Sequence, residues 1–370
     1  MCNLLGNHNI KVINYWDNYR TDWLLGTTIR ASETSSEYSI DGILVQKLTH
    51  TKKEKLKMLP WVLLFYATMD ESIKNLSKII EPNLDNIISK DTDIIHNFRI
   101  GREPLSYASY NISKKRGIPF ALTPFHHPRW GGWLHKQYQN LYKKADLLCT
   151  MTDYEKKYLV SLGINQDKIW TIGNGPVIAT NSNGKEFREK YDIRDEPMIL
   201  FLGQKFSYKG IASLINASNL VWNELSDVIF VFIGPRTPYS KKLFKDIKDK
   251  RIIEIDTVDL QTKSNALDAC DVLCVPSSQE SFGGVYTEAW LYKKPVIGCR
   301  IPAVSEVIDD NENGFLVSQD PEDIAKRILD LLKNPKMAKT MGESGFIKVI
   351  DNFTWEKISK KLESAYLSVK

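Results

Sequence analysis

The sequence has 370 residues, of which 42% are hydrophobic and 26% are charged, and its formal net charge is +5 at pH 7. This length predicts two domains, and the composition is that of an ordinary soluble globular protein. The small positive charge allows an acidic ligand or a membrane surface as a partner, but it does not mark a nucleic-acid-binding protein, and we expect no nucleic-acid partner.

Cysteine usage and the apolar runs indicate a compartment. The five cysteines are scattered and include no C-x-x-C pair, which is typical of a reducing cytoplasm rather than of a disulfide framework or a zinc site. The longest apolar run, 58–69, is shorter than the roughly 20 residues that a membrane-spanning helix needs. We therefore expect a cytoplasmic protein.

Predicted strands and helices alternate through the first half of the chain. Strands are predicted at 10–15, 42–48, 93–98, 119–123, 146–151 and 168–172. Helices are predicted at 54–80, with an interruption near Pro60, and at 104–116, 135–144 and 154–162. This alternation predicts a parallel, doubly wound α/β sheet. The Gly-, Asn- and Pro-rich segment 173–184 predicts a linker to a second domain.

The same pattern repeats in the second half. Strands are predicted at 198–202, 228–233, 252–255, 271–276 and 296–299. Helices are predicted at 211–224, 241–248, 285–294, 321–333, 336–350 and 354–369. Because ligands of doubly wound sheets bind beyond the carboxyl ends of the strands, we expect the site to lie in a cleft between the domains.

A glycine pair follows the predicted strand at 271–276 and opens a predicted helix. Gly283 and Gly284 let the backbone approach a ligand closely, and the free N–H groups of a helix N-terminus attract a phosphate or diphosphate. Glu280 precedes the glycines and Glu288 follows them. Carboxylates beside an anion site are good partners for sugar hydroxyls. The pattern therefore predicts a nucleotide-sugar site.

This segment resembles the retaining glycosyltransferases of family 4. Glu280, seven residues and Glu288 match the E-x7-E motif of that family, and the surrounding Phe282–Gly283 and Lys294–Pro295 are also similar to it. The resemblance implies the GT-B fold, in which two Rossmann-like, doubly wound domains face a cleft. It also implies that the donor contacts include the residues around the glycine pair: Phe282, Gly283, Gly284, Val285 and Glu288.

The resemblance further implies how the chain divides. We expect an acceptor-side domain at 1–175, a nucleotide-sugar donor domain at 176–350, and a last helix at 351–370 that crosses back to the first domain. The N-terminal domain of the family usually opens with a strand, a glycine-rich loop and a helix. We expect this first strand-loop-helix to be missing from the sequence.

The segment 203–210 is similar to the G-R-x4-K-G loop of the family, whose Arg and Lys hold the donor diphosphate. Lys209 matches the Lys, and Gln204 stands where Arg is usual. Because Gln is neutral and lacks the charged, bidentate contact of Arg, we expect Lys205 to compensate. Gly203 completes this set of donor contacts. The alternative is a solvated basic turn.

Three further contacts are predicted from their places after strands. Arg236 follows the strand at 228–233 and Val258 follows the one at 252–255, so both are expected to meet the nucleotide. His127 follows the strand at 119–123 and has the pKa range to act near neutral pH. We expect it to bind the sugar or an acceptor hydroxyl; the alternative is a structural loop histidine.

The resemblance implies a retaining transferase that moves a hexose from a nucleoside diphosphate sugar to a hydroxyl of a glycan, a lipid or a small molecule. The expected catalytic residues are Glu280, His127 and Lys209. Because Lys209 and backbone amides stabilise the leaving diphosphate, no metal or other cofactor is expected, and the nucleotide sugar is a co-substrate. Two alternatives stay open: a GT-B sugar-nucleotide epimerase, and a non-catalytic or truncated nucleotide-sugar-binding protein.

A basic cluster at 52–57 precedes apolar residues at 59–64. A basic cluster beside apolar side chains can dock on an anionic membrane, which would make the protein peripheral. The alternative is a core helix with a solvated first turn, and both interpretations stay open.

Overall fold

The computed structural model describes residues 5, 8–14, 23–40, 42–98, 103–126 and 136–369. The chain divides into two compact units. The first unit comprises Met1–Met151, Glu155–Ile172 and Ile358–Lys370, and the second comprises Thr152–Tyr154 and Gly173–Lys357.

The first unit holds two sheets among its described residues. Its strands are β1 (Val12–Asn14), β2 (Glu37–Ile40), β3 (Ile43–Lys47), β4 (Ile95–Phe98), β5 (Phe120–Thr123), β6 (Leu147–Thr150) and β7 (Ile169–Thr171). The helices of this half of the chain are α1 (Trp23–Gly26), α2 (Lys52–Leu63), α3 (Met69–Ile87), α4 (Glu103–Arg116), α5 (Lys136–Lys144) and α6 (Asp153–Ser161).

The larger of these sheets has the order β4-β5-β6-β7 and is parallel throughout, as the alternation of elements predicts. Every residue of β5 and β6 is buried, which explains their continuous apolar sequence. The smaller sheet has the order β1-β3-β2, and β2 runs antiparallel to β3. Strand β2 was not predicted, because all four of its residues are exposed and no core-facing pattern marks it.

The prediction of one helix at 54–80, interrupted near Pro60, was wrong in where the helix breaks. Pro60 lies inside α2 on its exposed side, and the chain leaves the helix only after Leu63. The helix starts two residues earlier than predicted because Thr51 and Glu54 form a capping box, with the Thr51 N–H donating to Glu54 Oε2 at 2.8 Å. A strong start therefore outweighs the hydrogen bond that Pro60 removes.

The second unit is built on one six-stranded sheet. Its strands are β8 (Met198–Leu202), β9 (Ile229–Ile233), β10 (Ile252–Ile255), β11 (Val272–Val275), β12 (Val296–Cys299) and β13 (Gly314–Val317). The helices of this half are α7 (Gly184–Lys190), α8 (Ile211–Trp222), α9 (Pro238–Phe244), α10 (Leu260–Ala269), α11 (Gly284–Leu291), α12 (Pro302–Ser305), α13 (Pro321–Lys333), α14 (Pro335–Asn352) and α15 (Trp355–Leu367).

The order of this sheet, β10-β9-β8-β11-β12-β13, is that of a doubly wound fold. All neighbouring strands are parallel. The chain enters at β8, builds outwards through β9 to β10, and then returns to place β11 on the other side of β8. The two loops that leave β8 and β11 therefore diverge at one topological switch point, where ligands of such sheets bind.

Three helices of the second unit escaped prediction, α7, α10 and the four-residue α12, and a fourth helix begins earlier than predicted. Helix α7 lies inside the predicted linker and is capped by Asn183, and α10 is capped by Asp259, whose carboxylate accepts the Thr262 N–H at 2.6 Å. Helix α9 begins at Pro238 rather than at residue 241, because Thr237 caps it and proline is favoured in the first turn. Asn183, Thr237 and Asp259 are residue types that favour helix starts, so the sequence contains a signal for α7, α9 and α10.

Candidate functional site

The loops that leave β8 and β11 are tied together at the switch point. The Ser278 N–H donates to Tyr208 O at 2.9 Å. The Gln319 side chain joins both loops, because its Nε2 donates to Tyr208 O at 2.9 Å and to Pro276 O at 2.6 Å. Gly210 lies so close that a Cβ there would stand 2.4 Å from Pro276 O. The two predicted donor-binding segments are therefore neighbours in the fold.

Lys209 and Glu280 form an ion pair across these two loops. The Lys209 ammonium donates to Glu280 Oε1, and the two side chains are only 15% and 12% exposed. The pair joins the predicted phosphate-binding lysine to the predicted sugar-binding carboxylate. In the structure each of these two predicted site residues thus has the other as its partner.

The glycine pair opens α11 as predicted. Gly283 has φ +85, and a Cβ there would stand 2.4 Å from the Tyr286 ring, so this position requires glycine. Gly284 begins the helix, which leaves the amides of the first turn without intrahelical acceptors. Of the two adjacent residues, Val285 is half-buried, whereas the Phe282 ring is buried and lies edge-on to Phe353 at 5.3 Å. Only the backbone of Phe282 is left to face a ligand.

Glu288 lies one turn further along α11 and is almost buried. Its Oε1 accepts a hydrogen bond from Lys263 Nζ at 2.8 Å and one from the Val177 N–H at 3.4 Å. Lys263 Nζ also donates to Val177 O at 2.6 Å. Burial raises the pKa of Glu288, and the positive charge of Lys263 opposes that rise. Lys263 therefore both fixes the position of this carboxylate and favours its charged form.

Lys205 has different surroundings from those expected. Its side chain is fully buried, and its ammonium forms an ion pair with Glu254 and donates to Ile255 O at 2.7 Å. Burial lowers the pKa of Lys205, although the Glu254 carboxylate raises it. The ammonium is thus committed within the fold and is not turned to solvent as a replacement for the charge that Gln204 lacks. Gln204 itself is half-buried.

Arg236 shares the same carboxylate. Its Nε donates to Glu254 Oε2 at 2.7 Å, and its side chain is 42% exposed. Gly203 connects to this side of the sheet through its N–H, which donates to Ile233 O at 3.0 Å. Val258 is half-buried in the loop between β10 and α10. The Glu254 carboxylate, which also pairs with Lys205, therefore holds Arg236 in place while the Arg236 side chain remains accessible.

The predicted histidine cannot be located in the same way, because His127 lies outside the described residues. Its neighbour His126, in the first unit, is buried and stacks on the Tyr158 ring at 4.2 Å. The His126 N–H donates to Glu155 Oε1 at 2.6 Å, and the Met151 N–H donates to Glu155 Oε2 at 2.8 Å. Burial raises the pKa of Glu155 to about 7, although these two N–H groups favour the charged form.

Comparison with known proteins identifies the second unit. The sequence profile described as glycosyl transferases group 1 matches residues 183–347, which include both tied loops, both glutamates and Lys263. Residues 183–347 belong to this glycosyltransferase family. An uncharacterized glycosyltransferase of Methanocaldococcus jannaschii is 29% identical over 221 residues, which cover 58% of this chain and 60% of that protein.

Two further relatives extend the comparison. The processive diacylglycerol alpha-glucosyltransferase of Acholeplasma laidlawii is 26% identical over 64% of this chain and 72% of its own length. The crystal structure of Anabaena HepE in complex with UDP and glucose has a TM-score of 0.71, with 17% identity over 88% of this chain and 87% of that chain. The first three curated relatives are matched over 52% to 60% of their lengths.

These likenesses confirm the predicted resemblance to glycosyltransferases and the GT-B fold. They leave the site residues, the retaining mechanism and the domain boundaries as predictions. Within the glycosyltransferase family segment, Lys263 and Glu254 are the charged residues that sequence reasoning missed. The Asp259 cap could have revealed helix α10, but nothing in the sequence places Lys263 beside a glutamate 25 residues later.

Two other features of the chain bear on ligands. One surface depression of the family segment, of about 1130 Å³, lies among α8, α13 and α14 and includes none of the predicted site residues. Its lining includes no residue from the carboxyl ends of β8 or β11, where ligands of doubly wound sheets bind. Within the described ranges, no group of three or more His, Cys, Asp or Glu side chains is arranged to hold a metal ion. Among the described helices, none combines the length and the hydropathy that a membrane span requires.

Proposed function

We propose that the protein transfers a hexose from a nucleoside diphosphate sugar to an acceptor hydroxyl, with retention of the anomeric configuration. The observation that carries the proposal is the arrangement at the switch point. The amides that open α11 lie between two glutamates, and each glutamate has a lysine beside it, Lys209 for Glu280 and Lys263 for Glu288. In a nucleoside diphosphate sugar the diphosphate likewise lies between the sugar and the ribose. The amides thus match the diphosphate, Glu280 matches the sugar, and Glu288 matches the ribose.

The diphosphate is assigned to Lys209 and to the first amides of α11. As the bond to the sugar breaks, the leaving diphosphate gains negative charge, and a preorganised ammonium with free N–H groups stabilises that charge. Because Lys209 is paired with Glu280 before the donor binds, the diphosphate must take over the lysine. The released Glu280 carboxylate then accepts hydrogen bonds from the sugar hydroxyls and orients the reacting carbon.

The ribose is assigned to Glu288. Lys263 and the Val177 N–H both engage Oε1, while Oε2 receives no hydrogen bond from the described residues. The free Oε2 is the acceptor for a ribose hydroxyl. This division of labour makes Lys263 a positioning residue, which acts on the donor through Glu288.

The remaining contacts complete the nucleotide site. Arg236, Val258, Gly203 and Gln204 are assigned to the nucleotide and its phosphates. Lys205 is assigned no direct contact, since its ammonium pairs with Glu254, the carboxylate that also binds Arg236. His127 remains the predicted contact of the sugar or the acceptor. The charge on the leaving group is met by Lys209 and amides, so we propose turnover without an added metal ion or other cofactor.

The acceptor is proposed only as a class, a glycan, a lipid or a small molecule with a free hydroxyl, and we propose that the protein acts in the cytoplasm. A transfer assay tests the function. The full-length chain is incubated with UDP-glucose, with and without a panel of such acceptors. UDP-glucose is chosen because the Anabaena structure was determined in complex with UDP and glucose. We expect UDP release that depends on an acceptor, and an α-linked product by NMR.

The same assay separates the alternatives. An epimerase converts the sugar nucleotide to an isomer without any acceptor. If the protein only binds nucleotide sugars, they raise its thermal unfolding temperature, but no turnover occurs. Acceptor-independent isomerisation, or binding of every nucleotide sugar in a panel without product, would overturn the transferase proposal. A β-linked product would overturn the retaining mechanism alone.

A further inference from the structure

Helix α2 of the first unit is apolar on two opposite sides. Met58 and Val62 are buried in the core of that unit. On the other side, Leu56 and Leu63 are 71% and 75% exposed. The solvent side of a surface helix is normally polar, and a helix that is apolar all round is normally buried. The outer side of α2 therefore lacks a partner within the part of the chain that the structure describes.

This outer side is here called the leucine–lysine face. It is formed by exposed residues of α2 and the one that follows: Lys52, Lys53, Leu56, Lys57, Leu59, Pro60, Leu63 and Leu64. Their spacing of three and four residues puts them on one side of the helix. The lysines lie towards its N-terminal end and the leucines towards its C-terminal end, and the exposed side chain of Tyr66 continues the apolar part.

The charges of this face are unbalanced. Lys55, off the face, pairs with Glu33 at 3.1 Å, whereas Lys52, Lys53 and Lys57 have no acidic partner among the described residues. The single acidic residue of α2, Glu54, is occupied by the N-terminal cap. Lysines in the first turn of a helix also gain nothing from its dipole, since that end is already positive. Three positive charges are thus presented beside exposed leucines.

We propose that the leucine–lysine face docks the protein on an anionic phospholipid surface, with the leucines at the acyl boundary and the lysines among the headgroups. This combination is what an interfacial helix needs. A second copy of the chain fits the face poorly, because a two-fold contact would bring the same positive charges together. An apolar groove of another protein would match the leucines but leave the lysines unused.

Docking goes beyond the proposed transfer reaction, because it concerns another surface and needs neither donor nor acceptor. Only one consequence of docking rests on the proposed function, namely that a docked transferase would act on acceptors held at the bilayer surface. Vesicle binding is measured without a nucleotide sugar, so the failure of docking and the failure of the transferase proposal are told apart.

The experiment is co-sedimentation of the full-length protein with phosphatidylcholine vesicles and with vesicles that also contain phosphatidylglycerol. We expect binding to the anionic vesicles alone, and weaker binding as added salt screens the lysines. The triple variant Lys52→Gln, Lys53→Gln, Lys57→Gln should lower the partition coefficient about 100-fold, since each lysine near an anionic surface contributes roughly a factor of five. Leu56→Ser with Leu63→Ser should lower it by about tenfold for each leucine.

Matched controls come from exposed residues elsewhere. Lys241→Gln, Lys336→Gln and Lys339→Gln remove the same charge from another surface, and Ile347→Ser with Leu367→Ser removes apolar side chains that are each 59% exposed. These controls should bind like the unchanged protein, and thermal unfolding confirms that all variants fold. The proposal is overturned by absent binding, by equal binding to neutral vesicles, or by equal losses in the controls. A dimer in sedimentation velocity that Leu63→Ser dissolves, without vesicle binding, also overturns it.

Discussion

Lys209 and Glu280 hold each other in an ion pair that joins the loop after β8 to the loop after β11. The side chains are 15% and 12% exposed, so the pair is mostly shielded from water. In the donor-free protein each charge is therefore compensated by the other. Under the proposed function, a diphosphate that pairs with Lys209 would separate this lysine from Glu280. The proposed function therefore predicts that recognition of the phosphates is coupled to recognition of the sugar, and this coupling can be measured.

Replacing Lys209 by Ala should weaken UDP binding by about 1.5–3 kcal/mol, the usual value for a hydrogen bond to a charged group. Calorimetry measures the change, and Lys241→Ala, at an exposed position outside the site, is the control with no expected change. Addition of a chelator should leave turnover of the unchanged protein intact. Loss of turnover in chelator, with recovery in Mg²⁺ or Mn²⁺, would show that a metal carries the phosphate charge.

Replacing Glu280 by Gln should separate binding of UDP from turnover of the UDP-sugar. Because the variant no longer holds Lys209, the lysine is free for the phosphates, and we expect UDP to bind more tightly by about 1 kcal/mol, near the upper value for such pairs. Turnover should fall, since the sugar loses the carboxylate that orients it. A loss of UDP affinity as large as that of Glu288→Gln would contradict this assignment of roles.

The Lys263–Glu288 pair predicts a pH effect. Glu288→Gln should weaken UDP and the UDP-sugar alike, because both carry the ribose. In Lys263→Met the opposing positive charge is gone, so the pKa of Glu288 rises further above its usual range. UDP affinity of this variant should then increase as the pH is raised and Glu288 loses its proton, while Lys241→Met should show the same pH dependence as the unchanged protein. A pH-independent loss would indicate a purely structural role for Lys263.

The contiguous part of the site could be predicted from the sequence, and the part made by distant residues could not. Gly283 and Gly284 lie between two glutamates within nine residues, so turn chemistry and the helix start reveal them together. The partners of those glutamates come from elsewhere: Lys209 lies 71 positions before Glu280, and Lys263 lies 25 positions before Glu288. Only the strand order, with β8 beside β11, brings the first of these pairs together.

Lys205 is a residue for which the neighbouring sequence suggested the wrong partner. A lysine next to a neutral glutamine in a predicted phosphate loop suggested compensation, but successive side chains of an extended loop point to opposite sides. The structure turns Lys205 inwards to Glu254, a residue of strand β10. Its sequence neighbours contain no sign of that partner, because β10 reaches the loop only through the pairing of β8, β9 and β10.

The close approach of the two loops makes Gly210 a sensitive position. In Gly210→Ala the new Cβ would stand 2.4 Å from Pro276 O, so the loops must separate. We expect UDP affinity to fall about tenfold or more, since backbone shifts of this kind cost on the order of 1–3 kcal/mol. Gly163→Ala is the matched control: its φ of +81 gives similar backbone strain, but nothing lies within 4 Å of its Cβ. Equal UDP affinities in both variants would mean that the loop contact does not shape the donor site.

Glu155 should make the stability of the first unit depend on pH. Its carboxylate anchors the N–H groups of His126 and Met151, and burial raises its pKa from 4.5 to about 7. Between these two values the unfolded chain releases the proton while the folded chain keeps it, so stability falls as the pH rises through that window. The two values differ by 2.5 units, which corresponds to roughly 3 kcal/mol.

Glu155→Gln should remove this dependence, because an amide does not titrate. The variant also loses one acceptor for the two N–H groups, which lowers its stability at every pH by about 1–3 kcal/mol. Urea titrations of the transition that reports the first unit are made at about pH 5 and about pH 8. The gap between the unfolding free energies of the unchanged protein and of the variant should differ between these two pH values. The gap should be larger at the lower pH by roughly 3 kcal/mol. Glu189→Gln, whose side chain is 66% exposed, is the control and should show one gap at both values. A constant gap for Glu155→Gln would mean that the carboxyl keeps the same charge throughout and that the His126 loop is held independently of pH.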